Sequence, residues 1–89
     1  MAGQTMKFII LLGSIHLVMK AEKLFKGKGM KIDLIPVPRE ISSDCGVAIE
    51  VPPEMKEEAL LLLDQSKLVI VDCYTRDETG EFTKWQRPA

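Results

Sequence analysis

Apolar and polar positions along the chain alternate between two periods. Lys7-Phe8-Ile9-Ile10-Leu11-Leu12 is a short β-rich run closed by Gly13, and it predicts a first strand. Ser14 follows as a helix N-cap, because its hydroxyl can accept a bond from an orphan amide of the first turn. Leu17, Ala21, Leu24 and Phe25 then recur at helical spacing as one apolar stripe, and Gly27 and Gly29 stop the helix. Met30 to Val37 predicts a second strand, which Pro36 and Pro38 confine to a sheet edge or cut short. Arg39 to Gly46 has no period and the composition of a loop or single turn. Val47 to Val51 alternates as a third strand. Pro52-Pro53 opens a second helix, with Glu54, Glu57 and Glu58 in its first turns and Met55, Ala59, Leu62 and Leu63 on its buried stripe. Leu68 to Tyr74 predicts a fourth strand.

The order β-α-β-β-α-β predicts an α/β chain of the α+β two-layer kind, on the ferredoxin-like plan: an antiparallel four-stranded sheet with two helices on one face. The domain is expected over residues 1–75, followed by a polar C-terminal tail over residues 76–89 with one anchor at Phe82 or Trp85. A sheet with one wet face should alternate cleanly. The first strand does not: Phe8, Ile10 and Leu12 face one side, Ile9 and Leu11 the other. Strict alternation in the fourth strand puts Val69, Val71 and Cys73 on one face and Leu68, Ile70 and Tyr74 on the other. The open face is therefore expected to be covered, by the tail or by a second copy. Two tail anchors are few for four strands, so a homodimer through sheet faces or edge strands is the expectation.

Composition narrows the class. The 89 residues make one small domain, and 46% hydrophobic content excludes a disordered chain. A net charge of -1 argues against a general nucleic-acid binder, which needs surplus cations to release counterions. No apolar run is longer than Phe8 to Leu12, far short of the ~20 residues of a membrane span. The first residues lack the apolar core of an export signal, so two cysteines read as reduced thiols in the cytoplasm. Charge is unevenly placed: residues 1–31 carry six lysines against Glu22, and residues 32–89 carry 6 basic and 12 acidic side chains. Four of those lysines fall toward the end of the first helix. They either complement its negative end or make a basic face for an acidic partner protein.

Chemistry centres on Cys45, in the irregular segment Pro36-Val37-Pro38-Arg39-Glu40-Ile41-Ser42-Ser43-Asp44-Cys45-Gly46. A thiol reacts as thiolate, which needs a cation, oriented amides or a base nearby. Arg39 is within reach across one turn, Ser42 and Ser43 can donate to an anion, and Gly46 lets the backbone turn its amides inward. Asp44 opposes this, since a neighbouring carboxylate raises a thiol pKa. Cys45 is either such a thiol or a small residue packing the start of the third strand. His16 stands in the first turn of the first helix, as an exposed helix-start residue or as a base for the thiol. Their contact is expected only if loops fold over the sheet end. Cys73 lies in an apolar alternation and is expected to be buried. The two cysteines lack metal-ligand spacing, and no C-x-x-C, G-x-G-x-x-G or P-loop is present, so neither a metal nor a cofactor is expected.

Ser14-x-His16 opening a helix with Ala21-Glu22-Lys23, then Pro38-Arg39-x-Ile41-Ser42-Ser43-x-Cys45-Gly46, resembles a family of small bacterial proteins described as selenium/sulfur carrier-like. The resemblance covers roughly residues 6–74, and the Cys-Gly loop is its specific part. It implies that Cys45 holds sulfur or selenium as a persulfide-type adduct for delivery to a partner enzyme, with Arg39, Ser42, Ser43, Gly46 and His16 in support. Donor and acceptor proteins are the implied partners. Asp44 departs from the small neutral residue that would suit an activated thiolate, and there is no Cys-Pro motif of the established sulfur carriers. A carrier is not thereby an enzyme. The competing function is a non-catalytic ligand-binding or regulatory dimerisation module, with the Pro-Arg-Glu-Ile-Ser-Ser loop as an anion clamp.

Overall fold

The computed structural model of the chain describes residues 6–41 and 46–86. Strand β1 (Lys7–Leu12) runs through the middle of the sheet, which explains its unbroken apolar run: it is covered on both faces. Helix α1 (Ile15–Gly27) follows, and Ser14 caps it by accepting from the Leu17 amide at 3.2 Å. The helix ends with Gly29 in the left-handed region (φ +76°), the Gly29 amide on the Lys26 carbonyl and the Met30 amide on the Phe25 carbonyl. Strand β2 (Asp33–Pro36) is shorter than expected: it stops at Pro36, as its prolines require, and starts three residues late because Met30 closes the end of α1 and packs with Ile32 in the helix-side core, while β3 (Val47–Val51) matches its alternation. A 3-10 turn, Pro53–Met55, leads into α2 (Lys56–Gln65). Strands β4 (Ile70–Arg76) and β5 (Phe82–Trp85) complete the chain.

The architecture is α+β, with a five-stranded sheet ordered β2-β3-β1-β4-β5 and every neighbouring pair antiparallel. The expected four-stranded sheet is thus one strand short. The segment read as a polar tail turns back on itself and adds β5 to the edge. Both aromatic anchors are used, one on each face. Trp85 meets Phe8 edge-to-face at 5.0 Å on the helix side, and Phe82 meets Tyr74 at 6.4 Å on the other. Lys56 Nζ lies 4.9 Å from the Trp85 ring centroid and ties α2 to the edge strand.

Both helices pack on one face. Their buried residues, Val18, Ala21 and Phe25 of α1 and Ala59, Leu60 and Leu63 of α2, share a cluster with Phe8, Ile10, Leu12, Ile49 and Val51. Each fully buried Val, Leu, Ile or Phe side chain among them contributes about 1.5–3 kcal/mol of transfer free energy. The buried stripes centre one residue away from the expected ones, on Val18 and Leu60, while Leu17, Leu24 and Leu62 are half-buried.

Strict alternation in the fourth strand fails for a local reason. Leu11 pairs with Asp72 but Leu12 with Ile70, so Val71 is a bulge residue. The bulge brings Ile70 and Cys73 to the same face, the helix face, and leaves Val71 more than half exposed.

The second sheet face is covered from within the chain. Ile9 and Leu11 are buried there with Val37 and Ala48, and Ile35, Ile41, Tyr74 and Phe82 pack against them. The segment after β2 supplies Val37 and Ile41, and β5 supplies Phe82. Burial of Ile9 and Leu11 therefore does not require a second copy, which removes the ground on which a sheet-face dimer was expected. On the same face Arg76 reaches across β1 to pair with the nearly buried Glu50. Among the described residues no helix is long and apolar enough to cross a membrane.

Candidate functional site

Antiparallel register decides which connections share an end of the sheet. Ile10 pairs with Ile49 and Leu12 with Ile70, so β1 ends where β3 and β4 begin. Three connections meet at that end: Gly13-Ser14 leading into α1, residues 37–46 between β2 and β3, and residues 66–69 between α2 and β4. The expectation that the end of the first strand and the start of the third approach only if loops fold over is corrected by this register. His16, exposed in the first turn of α1, stands at the same end as Gly46.

The β2–β3 connection is a long hairpin loop with a closed stem. Beyond the last ladder pair, Pro36 with Val47, the Val37 amide donates to the Gly46 carbonyl at 3.0 Å. Directly after Val37 the chain folds in a tight turn, where the Ile41 amide donates to the Pro38 carbonyl at 3.0 Å. Arg39 and Glu40 form the corner of that turn and are exposed, while Val37 and Ile41 reach down onto Ile9 and Leu11. The loop is thus seated by two apolar side chains and presents Arg39 and Glu40 to solvent.

Gly46 adopts φ +68° with nothing within 4 Å of the position a Cβ would occupy. Glycine is required there by backbone conformation, not by space. Ser42, Ser43, Asp44 and Cys45 lie outside the described residues. The structure therefore brings Arg39 and Gly46, on the β2–β3 connection, and His16, in the first turn of α1, to one end of the sheet.

Cys73 is buried, as expected, at 7% exposure, pairing with Ile10 on one side and Trp85 on the other. Among the described residues no group of three or more His, Cys, Asp or Glu side chains converges on a metal-sized site.

Two features had no counterpart in the sequence reading. A cavity of about 570 Å³ opens between the end of α2, the start of β4 and the end of β5, lined by Leu68, Cys73 and Trp85 with Asp64, Lys67 and Lys84 at its polar wall. It exists only because β5 joins the sheet. The second feature is the β4–β5 turn. Asp77 Oδ1 accepts from the Thr79 amide at 2.9 Å, the Thr79 hydroxyl at 2.5 Å and the Glu81 amide at 3.0 Å. The Thr79 hydroxyl first, and the Glu81 amide next, hold the Asp77 carboxyl below its ordinary value of 3.8. The signal was present as Asp77-x-Thr79-Gly80, an Asx-turn composition.

Residues 7–75 match the family model described as "Putative Se/S carrier protein-like". No curated protein and no solved structure matches the chain.

Proposed function

The chain belongs to the Se/S carrier protein-like family, and from that premise we propose that it holds sulfur or selenium on Cys45 and delivers it to a partner enzyme. The observation that carries this reading is the family match across residues 7–75, a span that contains Cys45 and the hairpin stem closed beside it. In this reading β2, β3, β1 and β4 with the two helices are a ferredoxin-like core, and β5 is an addition at its edge.

The Cys45 thiolate attacks the outer sulfur of a donor persulfide. A new S–S bond forms on Cys45, the donor's S–S bond breaks, and its electron pair leaves on the donor thiolate. The donor passes from persulfide to thiolate and Cys45 from thiolate to persulfide, so no external oxidant or reductant is consumed. With selenium, the transferred outer atom is selenium and the same bonds are counted. Delivery repeats the step with the acceptor as nucleophile and returns the Cys45 thiolate. Arg39 and the hydroxyls of Ser42 and Ser43 support the anion, Gly46 supplies the backbone turn beside the thiol, and His16 exchanges the proton. Donor and acceptor are proteins, and the cycle runs in a reducing cytoplasm, where Cys45 stays a thiol.

The test is the pH dependence of alkylation of native protein by iodoacetamide, followed by mass for the wild type and for Cys73→Ser. The reading predicts a Cys45 rate that rises to its plateau well below the ordinary thiol pKa of about 8.5. A midpoint at or above that value contradicts an activated thiolate.

A further inference from the structure

The carrier reading makes no use of the cavity between the end of α2, the start of β4 and the end of β5. Its volume of about 570 Å³ lies in the range of small-molecule sites, roughly 300–1,000 Å³. The apolar part of its lining is Leu68, Ile70, Cys73 and Trp85, all half-buried or buried, with the exposed Val69 beside them. Trp85 is held in place from its other contacts, Phe8 edge-to-face at 5.0 Å and Lys56 Nζ at 4.9 Å from its ring centroid. A fixed aromatic wall is what a flat or branched apolar group packs against.

Four charged side chains share the lining, two of each sign. Asp72 and Lys84 neutralise each other across 3.4 Å. Asp64 and Lys67 make no ion pair among the described residues. Both stand where the helix end gives them meaning. Asp64 lies in the last turn of α2, which carries no basic residue, so its carboxylate adds to the negative end of the helix dipole. That corner attracts a cation. Lys67 occupies the position just past the C-cap. The Leu68 amide donates to the Leu63 carbonyl at 2.9 Å and the Lys67 amide to the Asp64 carbonyl at 3.1 Å, the bonds of a helix stop that ordinarily uses glycine. Lys67 instead holds the left-handed conformation at φ +60°, the one residue other than glycine with positive φ among the described residues. The turn needs only a backbone there, and a lysine adds an ammonium group to the wall of the cavity.

We infer that this cavity binds a small zwitterion with an apolar body, the chemistry of an apolar amino acid. The ammonium group of the ligand meets Asp64 at the carbonyl end of α2, its carboxylate meets Lys67, and its side chain packs on Leu68, Ile70 and Trp85. Each charge of the ligand then answers a charge that the fold leaves unpaired. The inference goes beyond the carrier reading and does not rest on it.

Binding is measured on the full-length protein carrying Cys45→Ser. Trp85 is the only tryptophan of the chain, so its fluorescence reports the site. Three probes share a phenyl body: L-phenylalanine carries both charges, hydrocinnamate the anion alone and phenethylamine the cation alone. L-phenylalanine is expected to change Trp85 emission saturably and to shift the ¹⁵N amide signals of residues 64–73 and 84–86. It should bind about tenfold more tightly than either analogue, the gain of one charge-assisted contact. Asp64→Asn should lower its affinity to that of hydrocinnamate, and Lys67→Gly to that of phenethylamine. Glycine suits the left-handed backbone, so binding lost in Lys67→Gly at an undiminished urea midpoint is loss of the cation and not of the fold.

No saturable binding of L-phenylalanine, shifts centred elsewhere, or affinity unchanged by both substitutions overturns the inference. So does either analogue matching L-phenylalanine, because the site then reads one charge or none. The Cys45 thiol takes no part in this experiment, so its failure leaves persulfide loading of the wild type untouched, and failure of loading leaves the cavity untouched.

Discussion

The β4–β5 turn and the β2–β3 loop both reverse an antiparallel pair, and they are held in opposite ways. In the first, one carboxylate satisfies the turn: Asp77 Oδ1 takes three hydrogen bonds, and the Gly80 amide donates to the Asp77 carbonyl at 2.9 Å. No residue of that turn is buried. In the second, the stem closes with Val37 and Gly46, and two apolar side chains, Val37 and Ile41, fix the loop to the sheet through Ile9 and Leu11. The charged corner, Arg39-Glu40, is left in solvent. A turn satisfied by its own side chain serves stability. A loop anchored from beneath and polar above can carry chemistry without being disordered by it.

The largest effect should follow from removing the seat of the loop. Leu11→Ala leaves a cavity under Val37 and Ile41 and is expected to cost about 3 kcal/mol, read as a lower urea midpoint at unchanged slope. A cost below about 1 kcal/mol would mean that the second face is not a packed core. Next, Gly46→Ala is expected to cost about 1 kcal/mol through the left-handed backbone alone, because there is room for the methyl group. Gly46→Asn should cost less than Gly46→Ala, since asparagine tolerates that conformation. Equal costs would point to a clash that the structure does not contain.

The turn should respond to pH where the loop stem does not. The Asp77 carboxyl is held below its ordinary value in the folded chain, so its contribution is fully present above pH 3.8 and fades as pH falls through the lower folded value. The protection of the Thr79 and Glu81 amides relative to their intrinsic exchange rate at each pH is expected to fall in that acid range, and Asp77→Asn should remove that dependence. Unchanged protection of these amides on acidification contradicts the account of the turn.

The smallest effect belongs to Arg39→Ala. Arg39 is exposed, so stability should hold. The pH midpoint of Cys45 alkylation should rise by less than about one unit, as a solvent-screened cation allows. Identical pH profiles would remove Arg39 from thiolate support.

Much of the fold was legible because it depends on local chemistry. The Ser14 cap, the alternation of Val47 to Val51, the prolines that shorten β2 and the burial of Cys73 all follow from residue type and spacing. What was not legible depends on a partner strand. The bulge at Val71 is set by the pairing of Leu11 and Leu12 with β4, and it moves Ile70 and Cys73 to one face against the sequence period. β5 was hidden because Phe82 and Trp85, three residues apart, face opposite sides of an extended strand and look like scattered anchors in a polar tail. Of the candidate site, the glycine requirement at position 46 was readable from its neighbours, whereas the shared sheet end of His16 and Gly46 needed the register. The placements of Ser42, Ser43 and Cys45 stay outside the described residues.

The central claim is that Cys45 holds a transferable chalcogen. The most direct measurement is intact and peptide mass spectrometry of the wild type, Cys45→Ser and Cys73→Ser after exposure to glutathione persulfide without reductant. The account predicts one added sulfur on the peptide containing Cys45, retained in Cys73→Ser, absent in Cys45→Ser, and removed by a thiol acceptor. An adduct located on Cys73, or none on either cysteine, would contradict it.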